Sequence, residues 1–268
     1  MQFINLNGTL LPAHQPHVQV SNRAFKWGDG IFETCKIKNG EVLLASMHFD
    51  RLFQSLQVLK INFKFSPEQL KAYILELCIK NGCEESGRVR LSVFREQKDE
   101  GGFAIEATHL KENLDAWNTE GWIIGIYPEA RKSIDSFANL KSANYLPYLM
   151  AGLFAEKNKW HESLVLNNAG YICEGSKTNI FIVNGGTVFT PGLDQGCVNG
   201  VMRRYIMEGL HSHGFMIKEN PIDTQMLYDA DEVFLTNAIR GIQWVSQFDT
   251  KQYQHSLSQH IYDKLLRS

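Results

Sequence analysis

Apolar and polar positions in the early part of the chain come in short runs separated by turn residues, a pattern of strands rather than of one long helix. Ile31-Phe32-Glu33-Thr34-Cys35-Lys36-Ile37 reads as a strand, and Asn39-Gly40 is a hairpin signal before Glu41-Val42-Leu43-Leu44. The period then changes, and Phe49, Leu52, Phe53, Leu56 and Leu59 fall on one face at helical spacing. A second helix is predicted over 66–80, with Ser66 as N-cap, Pro67 in the first turn and Leu70, Ile74 and Leu77 as its apolar stripe. Strands follow at 88–95 and 103–110.

Asp115-Ala116-Trp117-Asn118-Thr119-Glu120-Gly121 breaks both periods, and predicts a linker over 115–121. It separates a small N-terminal domain, 1–117, from a larger C-terminal one, 122–268. In the latter the pattern predicts a strand at 122–127, a helix at 145–159, buried strands at 163–166 and 180–183, a helix at 199–213 and a strand at 232–236. Leu257, Ile261 and Leu265 mark a closing helix. Strands and helices mix without strict βαβ alternation, so the expected class is α+β rather than a dinucleotide-binding sheet. Gly28-Asp29-Gly30 is too short a glycine pattern for a phosphate loop.

Composition narrows the partners. The chain has 268 residues, enough for two packed cores. A net charge of -2 argues against a nucleic-acid or anionic-membrane surface, which needs a basic excess. No apolar run reaches the ~18–20 residues of a membrane span, and the N-terminus lacks the basic-then-apolar order of a secretory signal. Cys35, Cys78, Cys83, Cys173 and Cys197 are odd in number with no C-x-x-C pair, which suits reduced thiols in a cytoplasmic protein. His211 and His213 stand two apart and face different directions on a helix, so no metal site is expected.

Five segments in order carry more specific chemistry. They are Arg23-Ala24-Phe25-Lys26-Trp27-Gly28-Asp29-Gly30-Ile31-Phe32-Glu33-Thr34, His48-Phe49-Asp50-Arg51-Leu52, Leu140-Lys141-Ser142-Ala143-Asn144-Tyr145-Leu146, Glu174-Gly175-Ser176-Lys177-Thr178-Asn179-Ile180-Phe181 and Asn199-Gly200-Val201-Met202-Arg203. Together they resemble the signatures of the class IV, or fold type IV, pyridoxal-phosphate-dependent aminotransferase family. Glu174 lies 33 positions after Lys141, as that resemblance asks. The resemblance implies a two-domain α+β fold, a homodimer and pyridoxal 5'-phosphate as cofactor.

It also implies roles. Lys141 would hold the cofactor through its amine and then act as acid and base, which requires an amine that is neutral part of the time. A lysine is ordinarily a solvated surface charge, and Lys141 departs from that expectation only through its neighbours. Glu174 would face the pyridine nitrogen and keep it protonated; the bland alternative is a turn carboxylate before Gly175. Arg51 would grip the phosphate through charge-assisted hydrogen bonds, or else be a solvated helix residue. Gly200, Val201 and Met202 would offer amides at a helix N-terminus to the same phosphate, or form a plain helix entry. Asn237 and Ala238 complete the cofactor contacts that the resemblance implies. Cys35 and Cys173 stand near these residues, but a free cysteine is more often a small buried hydrophobe than a nucleophile.

Within the family, Leu193-Asp194-Gln195-Gly196-Cys197-Val198-Asn199-Gly200-Val201-Met202-Arg203, Thr34 and Thr236-Asn237-Ala238-Ile239 are similar to the 4-amino-4-deoxychorismate lyases. That reaction yields p-aminobenzoate and pyruvate, a step toward folate. Thr34 would hand a proton to the departing enolpyruvate. Arg90 would meet a substrate carboxylate, with Arg88 a weaker candidate on the same strand face. Trp27 replaces a smaller residue and would reshape the substrate pocket, whereas Arg240 has no assigned place. The alternative is an aminotransferase for branched-chain or D-amino acids with a 2-oxo acid.

Overall fold

The chain forms two compact units, Met1–Leu114 with Leu140–Asn144, and Asp115–Asn139 with Tyr145–Ser268. The structure, a computed structural model, describes every residue except Pro16, His17, Gln97, Lys111, Glu112, Asn113, Asp115 and Ser268. The first residue of the expected linker, Asp115, thus lies outside the described residues.

The first unit contains β1 (Phe3–Leu6), β2 (Thr9–Pro12), α1 (Arg23–Trp27), β3 (Gly30–Lys38), β4 (Glu41–Val42), α2 (Ala45–Val58), α3 (Pro67–Asn81), β5 (Ser86–Arg95) and β6 (Gly101–His109). Its strands pair in the order β2-β1-β6-β5-β3-β4, all antiparallel among the described residues. The pleat sends Ile31, Cys35 and Ile37 of β3, and Val89, Leu91 and Val93 of β5, to one face. There they join Leu52 and Leu56 of α2 and Leu70, Ile74 and Leu77 of α3 in one core. α3 starts where its sequence directs: the Ser66 hydroxyl accepts from Gln69 N–H, and the Gln69 side chain accepts from Ser66 N–H.

The 140–144 segment corrects an expectation. The sequence reading puts Lys141 in the C-terminal domain, yet the segment packs with the first unit. It runs antiparallel along the outer edge of β3: Phe32 N–H donates to Lys141 O at 2.9 Å and Ala143 N–H to Gly30 O at 2.9 Å. A strand edge left by the two-residue β4 needs backbone partners, and these residues supply them.

The second unit contains β7 (Trp122–Lys132), α4 (Leu146–Lys157), β8 (Glu162–Asn167), β9 (Ile172–Gly175), β10 (Asn179–Asn184), β11 (Thr187–Thr190), α5 (Val201–Ser212), β12 (Ile217–Glu219), α6 (Thr224–Asp229), β13 (Glu232–Asn237), β14 (Gly241–Phe248), β15 (Lys251–Gln252) and α7 (Ser256–Leu265). Strand order is β12-β11-β10-β13-β14-β7-β8-β9, with β15 beside β14. β7 pairs parallel with both β8 and β14, and β11 with β12; the remaining ladders are antiparallel. This mixture is the α+β arrangement that the irregular alternation of elements predicts. The strand expected at 122–127 continues to Lys132, because a register shift between Ile126 and Arg131 restores its pairing with β8.

Candidate active site

In the first unit the β3 pleat separates two sets of side chains. Phe32, Thr34 and Lys36 lie opposite the helix-packed face, with Ser92, Arg90 and Arg88 as their direct neighbours on β5. The Lys141 amine lies 4.7 Å from the centre of the Phe32 ring, and the Arg90 guanidinium carbon 3.7 Å from the same ring. Arg90 also donates through Nε to Ser92 Oγ at 3.2 Å. The Lys141 amine and the Arg90 guanidinium thus share one aromatic ring, and Thr34 lies on the same sheet face, directly across from Arg90. Arg88 shares their face but is exposed. Trp27, on α1, is 61% exposed, with the Arg23 guanidinium 4.9 Å and the Lys26 amine 5.5 Å from its ring.

On the helix-packed side, Arg51 is not a solvated helix residue. It is buried, and donates through Nε to Glu33 Oε1 at 2.7 Å and through Nη2 to Glu33 Oε2 at 2.5 Å. His48 Nδ1 lies 2.7 Å from Glu33 Oε2. Burial by itself pushes the Glu33 carboxyl up, but the Arg51 charge and the hydrogen bonds from His48 and Arg51 outweigh it and hold it at about 2. An ionised Glu33 only accepts, so the His48 proton sits on Nδ1.

In the second unit, Glu174 lies on β9 and is buried. Its Oε1 accepts from the Lys132 amine at 2.6 Å and the Tyr148 hydroxyl at 2.5 Å, and the Val198 N–H lies 3.0 Å from both oxygens. Asn179 Nδ2 donates to Glu174 Oε2 at 3.3 Å and to Val198 O at 3.1 Å. Burial first, then the neighbouring Glu174 charge, pushes the Tyr148 phenol well up, so it remains a donor to the carboxylate. The same two causes, in the same order, raise Cys173, and lift Cys197 to about 12, which leaves both thiols unreactive. Sequence reasoning missed Lys132 and Tyr148. Nothing local marks them, since they meet Glu174 across 42 and 26 positions.

Val198 leads into Gly200, the N-cap of α5, which has no side-chain cap, and Val201 and Met202 form the buried first turn. The first amides of a helix have no intrahelical acceptor, so this end is suited to an anion. Glycine is required at position 200 by space: a Cβ there would stand 1.8 Å from Asn179 Oδ1. Asn237 closes β13, its Oδ1 accepting from Ile239 N–H at 3.0 Å and Arg240 N–H at 2.9 Å around Ala238. The Arg240 guanidinium lies 5.8 Å from the Trp122 ring. Among the described residues no cluster of three or more His, Cys, Asp or Glu is placed to hold a metal, and no helix is long and apolar enough to cross a membrane.

The class IV amino-transferase family model matches residues 30–248. The chain belongs to the class IV aminotransferase family. It is thereby a pyridoxal-phosphate-dependent enzyme of fold type IV. Its relatives include the aminodeoxychorismate lyase of Vibrio harveyi, 29% identical over 87% of this chain and 88% of that protein. They also include the branched-chain-amino-acid aminotransferase-like protein 1 of Arabidopsis thaliana, 27% identical over 90% of this chain, which spans only 45% of that protein's length. The branched-chain aminotransferase of Thermoproteus uzoniensis, crystallised with norvaline, superposes with a TM-score of 0.89 at 25% identity, covering 99% of this chain and 94% of that one. The residues present have the chemistry the cofactor requires: an amine on an aromatic ring, a buried carboxylate, an immobilised guanidinium and an uncapped helix N-terminus.

Proposed function

We propose that this family member is a 4-amino-4-deoxychorismate lyase, which forms p-aminobenzoate and releases pyruvate. The observation that carries the reading is Thr34 directly across from Arg90, on the sheet face where Lys141 also lies. An amine, a hydroxyl and a guanidinium are the groups an elimination from a dicarboxylate needs. Bound pyridoxal phosphate supplies the electron sink for that elimination. Lys141 holds the cofactor and removes the proton from the carbon bearing the substrate amine. Thr34 gives a proton to the departing enolpyruvate, while Arg90, immobilised by Phe32 and Ser92, takes a substrate carboxylate. Arg88 is a second, more exposed carboxylate partner, and Trp27 borders the substrate. Glu174 meets the pyridine nitrogen, its carboxylate held in place by hydrogen bonds from Lys132, Val198 N–H and Tyr148. Arg51 and the amides of Gly200, Val201 and Met202 hold the phosphate, with Asn237 and Ala238 beside them.

Incubation with aminodeoxychorismate and no 2-oxo acid tests the reading, and sustained release of p-aminobenzoate is expected. An aminotransferase would stall after one half-reaction. The similarity to the Thermoproteus uzoniensis enzyme favours that second reading, so efficient conversion of a branched-chain or D-amino acid with a 2-oxo acid, leaving aminodeoxychorismate intact, would replace the first.

The working form is a homodimer. α4 presents Leu146, Leu149, Met150 and Leu153 at 67%, 58%, 41% and 58% exposure, an apolar stripe at helical spacing that a second copy would cover. Five free, buried cysteines support a reducing, cytoplasmic setting.

A further inference from the structure

We propose that Glu33, braced by His48, is a positioning residue that fixes the Arg51 guanidinium for the cofactor phosphate; this rests on the assignment of Arg51 to that phosphate. Three observations carry it. Glu33 is 2% exposed and stands among Ile31, Cys35 and Ile37, on a strand face that is otherwise apolar core. Its two oxygens take Nε and Nη2 of one guanidinium, a bidentate grip that sets both the plane and the rotation of the arginine head. His48, three positions before Arg51 on the same α2 face, takes Oε2 as well and leaves the carboxylate one orientation.

A buried ion pair contributes little net stability compared with apolar residues of similar volume, so stability alone gives no reason for a carboxylate at this place in a hydrophobic core. Orientation does. A freely rotating arginine side chain has rotamer entropy that it would otherwise lose on meeting the phosphate. Gripped along one edge by Glu33, the planar fork of five donors has both its plane and its direction fixed.

The test compares binding of pyridoxal phosphate with binding of unphosphorylated pyridoxal to the full chain, each followed by the absorbance of the lysine-linked chromophore. Glu33→Gln should weaken pyridoxal phosphate about tenfold or more, the worth of one charge-assisted hydrogen bond, with pyridoxal nearly unaffected. Arg51→Ala should remove the same discrimination, and the double variant should match Arg51→Ala alone, because residues acting through one contact are not additive. If Arg51→Ala abolishes the discrimination while Glu33→Gln keeps it, the positioning role is refuted and the Arg51 assignment survives. Equal weakening of both ligands by Glu33→Gln makes Glu33 a structural residue and overturns the proposal. Should Arg51→Ala itself keep full discrimination, the Arg51 assignment falls and the proposal with it. His48→Gln is read by the same criteria if Glu33→Gln does not fold.

Discussion

At Phe32 a single ring receives both the Lys141 amine and the Arg90 guanidinium, at 4.7 and 3.7 Å. Lys141→Ala should give a folded, colourless protein after addition of pyridoxal phosphate, checked by absorbance beside a circular dichroism spectrum. Thr34→Val nearly conserves volume, so if Thr34 is the proton donor, turnover should fall about 10²–10⁴-fold with KM little changed. Arg90→Leu should do the reverse and chiefly raise KM, since it removes binding shared by ground and transition states. Steady-state kinetics on the pair separates the two roles. Glu33 makes a pH prediction. Its folded pKa of about 2 lies below its ordinary value of 4.5, so the stabilisation from ionising it is complete above pH 4.5 and is lost as pH falls toward 2. The melting-temperature gap between wild type and Glu33→Gln should therefore be widest near neutrality and close through that acid window.

Among the elements, α3 and α5 contrast in how far local sequence explains them. The Ser66–Gln69 capping box is complete within four residues, and Ser66 caps the helix as the sequence reading expects. The start of α5 depends on a distant neighbour: Asn179 of β10 crosses to Val198 O and Glu174 while its Oδ1 fills the space beside Gly200. Gly200→Ala should force Asn179 aside and break those bonds, costing about 1–3 kcal/mol in a urea melt. The same variant should hold the cofactor less tightly in an absorbance titration; an unchanged titration would separate the α5 terminus from the phosphate. β9, β11 and β12 escaped the sequence reading for a related reason. β9, β11 and β12 have four, four and three residues, too few to establish a period, and they exist because neighbouring strands complete their hydrogen bonds.

For the molecule as a whole, the proposed homodimer is tested at the exposed α4 stripe. Leu149→Glu with Leu153→Glu adds charge to exposed positions, so the monomer's fold should persist while self-association is lost. Sedimentation or light scattering checks this, and an unchanged mass would assign the stripe to something other than a second copy.

The sequence by itself determined the helical stripes of α2 and α3, the strands β3, β5, β6 and β13, the α+β class and, through ordered motifs, the family. These depend on periodicity, caps and turn residues that act over a few positions, and local energies suffice for them. Only the tertiary structure decided which partner each charged residue meets. Glu33 reads as one strand residue among seven until α2 docks and brings Arg51 across 18 positions. Lys132, which no local pattern marks, meets the Glu174 carboxylate only once the second unit is folded. Lys141 reads as part of the C-terminal domain until its backbone completes the open edge of β3. Each pairing is set by which faces bury together and which backbone groups still lack a partner, and both are properties of the packed chain, not of any short segment.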